Sequence, residues 1–188
     1  EYLVAEGFRA PEIFARDMTR GLVLLEDFGD ERMREHLDYR PEEEERVYKQ
    51  ALDTLVRLAK VKPASIAHYD EQAYLREAQL LSEWYMPAMG LEFSQAEFDQ
   101  LWIEALKPIS GVQTVTVLRD YHAENIMLLP DGEQGLIDFQ DALVGHPAYD
   151  LVSLLQDARR DVAPELEAVL LDYYREQARP DADFDQIG

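Results

Sequence analysis

The sequence predicts an α+β fold that is mainly helical and contains one small β-hairpin insert. Apolar residues recur at helical spacing in two blocks, one before residue 110 and one from Tyr149 onward. The stretch between the blocks is rich instead in β-branched and other apolar residues, in short runs at 114–118, 126–129 and 135–137. Pro130-Asp131-Gly132 separates the last two runs, and this turn chemistry is typical of a hairpin.

The first predicted element is a strand near the start of the chain. Residues 21–26 are Gly-Leu-Val-Leu-Leu-Glu, and such a continuous apolar run predicts a buried strand. The next four residues, Asp27-Phe28-Gly29-Asp30, are typical of turns and predict a connector.

Two amphipathic helices should follow the connector. Pro41 begins a segment with four glutamates in its first turn, where acidic groups complement the helix dipole. Its apolar residues recur at helical spacing, so we predict a helix over residues 41–60. A second helix is predicted over residues 70–86, with Asp70 as its N-cap.

The remaining helices have recognisable starts. Ser94 and Glu97 form a capping box that predicts a third helix, and Pro108 should end it. After the β-rich stretch the helical pattern returns, and Pro164 marks the start of a last helix. The predicted order is therefore one strand, a helical block, a small β insert and further helices.

The chemically informative residues flank the hairpin. Asp120 follows the strand at 114–118, Asn125 precedes the hairpin, and Asp138 comes directly after it. Because a hairpin brings its two ends together, Asn125 and Asp138 should be neighbours in space. Carboxylate and amide oxygens are hard ligands suited to Mg²⁺ held jointly with phosphate groups. Asp120, on the loop that enters the hairpin, is then placed to accept a proton from a hydroxyl.

The spacing of these residues resembles the catalytic and metal loops of protein kinases. Arg119-Asp120 is followed by Asn125 after four residues, and Ile-Asp-Phe closes the hairpin at 137–139. The spacing alone is a weak signal, since acidic proteins contain it by chance. The strand before it and the hairpin after it supply the missing context. The alternative is a structural hairpin whose carboxylates cap turns.

The chain resembles the aminoglycoside phosphotransferase and choline kinase family, which shares the protein-kinase fold. Within it, the chain looks most like the bacterial anomeric amino-sugar (N-acetylmuramate/N-acetylglucosamine) kinases. The similar segments are Arg119-Asp120-Tyr121, Asp138-Phe-Gln-Asp-Ala142, Pro147-Ala-Tyr-Asp150-Leu-Val-Ser and Glu83-Trp84-Tyr85. The resemblance implies a protein-kinase-like C-terminal lobe and a phosphotransferase that uses ATP and Mg²⁺ to phosphorylate a small-molecule hydroxyl, most of all an amino sugar.

Three alternatives to an amino-sugar kinase stay open. An aminoglycoside or choline-type kinase would have the same fold, and a non-catalytic module would bind nucleotide without transferring phosphate. A metal-dependent phosphohydrolase would use the same carboxylates, but it would need a second metal cluster. The four histidines of the chain lack metal-ligand spacing.

Carried across residue by residue, the resemblance implies a role for each matching position. Asp120 is the expected catalytic base, and Asn125 and Asp138 are the expected metal ligands. The other candidates are Glu26 and Phe28 in a hinge that binds adenine through backbone groups, the supporting residues Arg119, His122 and Asp150, and the candidate substrate contacts Trp84 and Tyr85.

Several of these side chains also have a purely structural interpretation. Asp150 either braces the catalytic loop or caps a helix, and His122 either neutralises phosphate or braces its own loop. Trp84 and Tyr85 either stack on a sugar ring or are core aromatics of a helix. Leu118 stands where the family usually has a histidine, whose role is one of packing and orientation.

The resemblance also predicts how the chain divides. Residues 1–30 correspond to a remnant of the N-terminal lobe with the hinge, and residues 31–188 to the helical C-terminal lobe with the catalytic and metal loops at 118–141. No Gly-rich phosphate loop or strand lysine precedes the hinge, and residues 184–188 close no recognisable element. We therefore expect a chain truncated at both ends, with most of the N-terminal lobe missing and little catalysis as it stands.

The composition narrows the range of partners. The 188 residues carry a formal net charge of −21, which disfavours nucleic acid and anionic membrane surfaces as partners. This charge either suits a cationic small molecule or only keeps the protein in solution. No run of 18 apolar residues is present, and the absence of cysteine excludes disulfides and thiolate metal sites. We expect a cytoplasmic protein with a small-molecule substrate and with neither nucleic acid nor membrane as partner; its oligomeric state stays open.

Overall fold

A computed structural model describes residues 1–178 of the chain. The helices are α1 (Tyr2–Ala5), α2 (Met33–Tyr39), α3 (Glu44–Leu58, preceded by a 3-10 turn at Pro41–Glu43), α4 (Glu71–Leu80), α5 (Met86–Ala88), α6 (Gln95–Ser110), α7 (Ala148–Leu155) and α8 (Pro164–Ala178). The strands are β1 (Ile13–Asp17), β2 (Leu22–Leu25), β3 (Val115–Val117), β4 (Ile126–Leu128), β5 (Gln134–Leu136) and β6 (Leu143–Gly145). The mainly helical α+β fold is as predicted. Residues 184–188 lie outside the described residues.

The strands pair as three separate antiparallel sheets of two strands each within residues 1–178. The predicted hairpin is β4–β5, in which Ile126 pairs with Leu136 and Leu128 with Gln134. Its turn contains Gly132 at φ +85°, a left-handed conformation that glycine adopts without strain. No sequence pattern predicted β6, which pairs antiparallel with β3 and so brings together the two ends of the segment between them.

The core forms around α3. One face of this helix is buried and packs against α8 and α7. Leu52 of α3, Leu154 of α7 and Leu170 of α8 are all 0% exposed. The same cluster includes Leu118 and Ile126, which flank the predicted catalytic loop. The loop is therefore anchored at both ends in the rigid part of the molecule.

The second and third predicted helices are present with their caps. The Asp70 carboxylate accepts from the Ala73 N–H at 2.9 Å, and the Ser94 hydroxyl accepts from the Glu97 N–H at 3.4 Å. Residues 81–85 form one π-helical turn between α4 and α5, which keeps the helical path continuous to Ala88.

Two sequence expectations are wrong. Pro108 does not end α6, which continues to Ser110. A proline removes one N–H donor, and this loss falls near the end of the helix, where the next residues complete the last turn. The strand predicted at 21–26 is present as β2 but is not buried, since Val23 is 50% and Leu24 60% exposed. These neighbours point to opposite faces, so neither face of the β1–β2 sheet is covered by residues 1–178.

None of the helices within residues 1–178 is both long enough and apolar enough to span a membrane.

Candidate active site

The two ends of the β4–β5 hairpin bring Asn125 and Asp138 together. The Asn125 Nδ2 lies 3.5 Å from the Asp138 Oδ2, and the Ile137 N–H donates to the Asn125 carbonyl at 3.2 Å. Asp138 has φ +59° and is exposed, and its Oδ1 accepts from the Gln140 Nε2 at 2.6 Å. The left-handed backbone thus turns an exposed carboxylate outward beside a side-chain amide.

Asp120 is tied to this pair through its backbone. Its carbonyl accepts from the Asn125 Nδ2 at 3.0 Å and from the His122 N–H at 3.1 Å. The side chain is half-buried, and within residues 1–178 its carboxylate accepts no hydrogen bond. A fixed backbone with an uncommitted carboxylate is what a proton acceptor requires.

Asp150 holds the start of the catalytic loop from below. It is buried, and its two oxygens accept from the Leu118 N–H at 2.7 Å and the Arg119 N–H at 2.9 Å. Burial raises the pKa of this carboxyl to about 7, against the opposing effect of the two backbone N–H donors. The N-cap of α7 is Pro147, so Asp150 is not the helix cap that the sequence left open.

Arg119 connects the catalytic loop to two other segments. Its backbone is left-handed, at φ +73°. Its Nη1 donates to the Asp141 carbonyl at 3.2 Å, in the loop after Asp138, and its Nη2 forms an ion pair with Glu77 on α4. The guanidinium also lies over the ring of Tyr69, 5.6 Å from its centroid. The sequence offered no signal for Glu77, because its partner is 42 residues away.

His122 and Leu118 face inward. The His122 side chain is buried, its Nε2 lies 3.3 Å from the Asn125 Nδ2, and its Nδ1 is buried without a partner among residues 1–178. These contacts favour loop bracing over a role at phosphate. Leu118 belongs to the main core, against which Phe139 packs. Leucine therefore fills by apolar contact the position where the family usually has a histidine.

A cleft of about 320 Å³ lies between the connector and the β4–β5 hairpin. It is lined by the connector, including Glu26, Asp27, Phe28 and Gly29, and on the opposite side by Met127 of β4 and Ile137. Ile137 directly precedes Asp138. One lining residue of the cleft is therefore the chain neighbour of the expected metal ligand Asp138.

The side chains of Glu26 and Phe28 are held by Arg9. Its guanidinium makes a two-pronged ion pair with Glu26, with one contact of 2.7 Å, and lies 4.6 Å from the centroid of Phe28. The hydrogen bonds from Arg9 lower the pKa of the Glu26 carboxyl. Phe28 also packs tightly on Gly135, where an added Cβ would lie 2.6 Å from the ring. These contacts fix the wall of the cleft.

Trp84 and Tyr85 lie on the π-helical turn and are 73% and 52% exposed. Trp84 and Tyr85 are therefore not core residues of the helix, which rules out the structural alternative for them. Contact with a substrate stays a prediction.

Oxygen donors for a metal are limited to a small set here. Within residues 1–178, no group of three or more His, Asp or Glu side chains is arranged to hold a metal ion. The Asp138 carboxylate and the Asn125 amide are hard donors that fit Mg²⁺ shared with phosphate oxygens.

A family model described as "Phosphotransferase enzyme family" matches residues 1–184. This chain belongs to the phosphotransferase enzyme family. The resemblance inferred from the catalytic and metal loops is thereby confirmed.

The N-acetylmuramate/N-acetylglucosamine kinase of Caulobacter vibrioides is 35% identical over 199 residues, covering 97% of this chain and 54% of that protein. The enzyme of the same name from Neisseria meningitidis serogroup B is 34% identical over 178 residues, covering 90% and 52%. The chain spans about half the length of the curated relatives it matches.

Solved structures of small-molecule kinases share the fold. Choline kinase LicA from Streptococcus pneumoniae superposes with a TM-score of 0.69 at 15% identity, covering 98% of this chain and 63% of that one. An aminoglycoside-3'-phosphotransferase of type VIII gives a TM-score of 0.67 at 15% identity, covering 99% and 73%. The predicted protein-kinase-like fold class is confirmed by these neighbours.

Proposed function

We propose that the protein transfers the γ-phosphoryl group of ATP to a hydroxyl of a small molecule, in the cytoplasm and with Mg²⁺. The observation that carries this proposal is the cluster at the hairpin base. Asn125 and Asp138 lie side by side, the Asp120 carbonyl accepts a hydrogen bond from Asn125, and the cleft beside Phe28 is lined by Ile137, the residue before Asp138. The fold of known small-molecule kinases supports the same assignment.

The residues divide the chemistry between them. Asp120 accepts the proton of the acceptor hydroxyl while that oxygen forms its bond to the γ-phosphorus and the bond to ADP breaks. Asp138 and Asn125 would hold Mg²⁺, which neutralises phosphate charge when bound. Asp150 and Arg119 keep Asp120 in place. In a reaction of this kind, such positioning and electrostatic stabilisation supply most of the rate enhancement.

The acceptor we propose is an N-acetylated amino sugar. The relatives at 35% and 34% identity are both named N-acetylmuramate/N-acetylglucosamine kinases. The exposed Trp84 and Tyr85 are suited to stacking on a sugar ring. The net charge of −21 instead favours a cationic acceptor such as an aminoglycoside or choline, so both kinds belong in the test.

The test is acceptor-dependent ATP consumption by the complete gene product with Mg²⁺. The panel contains N-acetylmuramate, N-acetylglucosamine, kanamycin and choline. We expect turnover with the amino sugars, and we expect Asp120→Asn to lower it by about 10²–10⁴-fold, the range for loss of a general base. Asp161→Asn makes the same chemical change at an exposed site and should leave turnover unchanged.

Other results would change the assignment in defined ways. Turnover with kanamycin or choline alone would replace the acceptor and keep the reaction. ATP binding without turnover of any acceptor would favour the non-catalytic module. Equal activity of Asp120→Asn and the wild type would remove Asp120 from the reaction.

A further inference from the structure

We propose that Glu77 is a positioning residue for the catalytic loop, acting through Arg119. Glu77 lies on α4, in the helical block that precedes the loop, and was not among the residues that the sequence singled out. The proposal rests on the proposed function, because its consequence is measured as phosphoryl transfer. It goes beyond that function by assigning a role to a residue outside the hairpin cluster.

Both oxygens of the Glu77 carboxylate are engaged. Oε1 pairs with the Arg119 Nη2, and Oε2 accepts a hydrogen bond from the Tyr69 hydroxyl. Tyr69 is closely packed: it is buried, stacks on Tyr74 at 3.8 Å between centroids, and has its hydroxyl 3.2 Å from that of Tyr149. The Tyr69 hydroxyl thus orients the Glu77 carboxylate, whose other oxygen binds the Arg119 guanidinium.

Arg119 is a residue that needs such a hold. Its left-handed backbone, at φ +73°, is unfavourable for a side chain with a β-carbon and persists where the surroundings determine it. The next residue is Asp120, so the conformation of Arg119 sets the direction of the proton acceptor. The other guanidinium nitrogen donates to the Asp141 carbonyl in the loop that follows Asp138. Glu77 therefore fixes one arginine that contacts both functional loops.

At this ion pair, the effect of Glu77 on the geometry of the catalytic loop can be separated from its effect on folding stability. The side chains of Glu77 and Arg119 are 34% and 26% exposed, and ion pairs of this exposure contribute little to folding. By contrast, a small displacement of a reacting group has a large effect on rate. Loss of the Glu77 charge should therefore change the loop and the rate more than the melting temperature.

The test uses Glu77→Gln in the complete gene product, because glutamine has the same shape and still accepts from Tyr69. We expect kcat to fall about tenfold and the KM for ATP to stay within about twofold. Backbone amides of residues 118–125 should exchange hydrogen faster. Glu71→Gln removes the same charge from an exposed position of α4, and it should change neither quantity.

A double-mutant cycle tests whether Glu77 acts through Arg119. In an Arg119→Gln background, Glu77→Gln should lower kcat by less than about twofold, because its partner is already gone. The proposal is overturned if Glu77→Gln lowers kcat equally in both backgrounds, or if neither kcat nor exchange of 118–125 changes. If the wild type transfers no phosphate while Glu77→Gln still accelerates that exchange, the proposed function fails and the positioning role stands.

Discussion

At the scale of single residues, Asp150 is a buried acid whose ionisation opposes folding. Burial raises its pKa from an ordinary 3.8 to about 7. Between these two values the folded state binds one more proton than the unfolded state. The contribution of Asp150 to stability is therefore fully present below about pH 4, declines as the pH rises toward 7, and is constant above it.

This sign can be measured against Asp150→Asn, which has no ionisable group at the position. Urea unfolding of both proteins at pH 5, 6, 7 and 8 gives the difference in their free energies of unfolding, wild type minus variant. We expect this difference to fall by about 1.4 kcal/mol per pH unit from 5 to 7 and to flatten by 8. A difference that is flat or rises with pH would show that Asp150 is ionised throughout.

The residues of the candidate site differ in how far sequence can reveal them. Asn125 and Asp138 were predicted as neighbours because a hairpin joins its own ends, which is a local constraint. The ion pairs Arg119–Glu77 and Arg9–Glu26 could not be predicted from such a local constraint. Each pair depends on tertiary packing between segments 42 and 17 residues apart.

At the scale of elements, the contact between the connector and β5 controls the shape of the cleft. Phe28 lies directly on Gly135, where a Cβ would be 2.6 Å from two of its ring carbons. Gly135→Ala should therefore displace Phe28 or shift β5. We expect a loss of about 1–3 kcal/mol in the free energy of unfolding, the usual cost of overpacking, together with weaker ATP binding.

Gly111→Ala is the matched control for that change. Gly111 follows α6 and has an ordinary backbone conformation, and no atom of residues 1–178 beyond its own chain neighbours lies within 4 Å of an added Cβ. It should change neither stability, measured by urea unfolding, nor ATP affinity. If Gly135→Ala behaved like Gly111→Ala, the contact with Phe28 would not define the cleft wall.

The elements also show what hydrophobic patterns specify. Helical spacing located α3, α4 and α6, because one face of each helix must be apolar where it packs. The apolar run at β2 correctly predicted a strand but wrongly predicted that it is buried, since such a run does not specify which element covers it. Likewise, the sequence alone did not show that α6 continues past Pro108.

At the scale of the whole molecule, the connector and the hairpin line one cleft, which we propose as the nucleotide site. The connector supplies Glu26 and Phe28 as one wall, and the hairpin segment supplies Met127 and Ile137, the residue before the proposed metal ligand Asp138. Turn chemistry predicted the connector, the family resemblance implied that it is a hinge, and the hairpin predicted Asn125 and Asp138 as neighbours. The cleft between the connector and the hairpin became visible only in the fold.

A calorimetric titration of ATP into the complete gene product, with and without Mg²⁺, tests this central claim most directly. We expect Mg²⁺ to tighten ATP binding at least about tenfold, and Asp138→Asn to abolish most of that gain, because the carboxylate would hold the metal against the phosphates. Binding in the absence of Mg²⁺ should be similar in both proteins. Equal ATP affinity with and without Mg²⁺, or an undiminished Mg²⁺ effect in Asp138→Asn, would contradict the assignment of the hairpin base as the metal–nucleotide site.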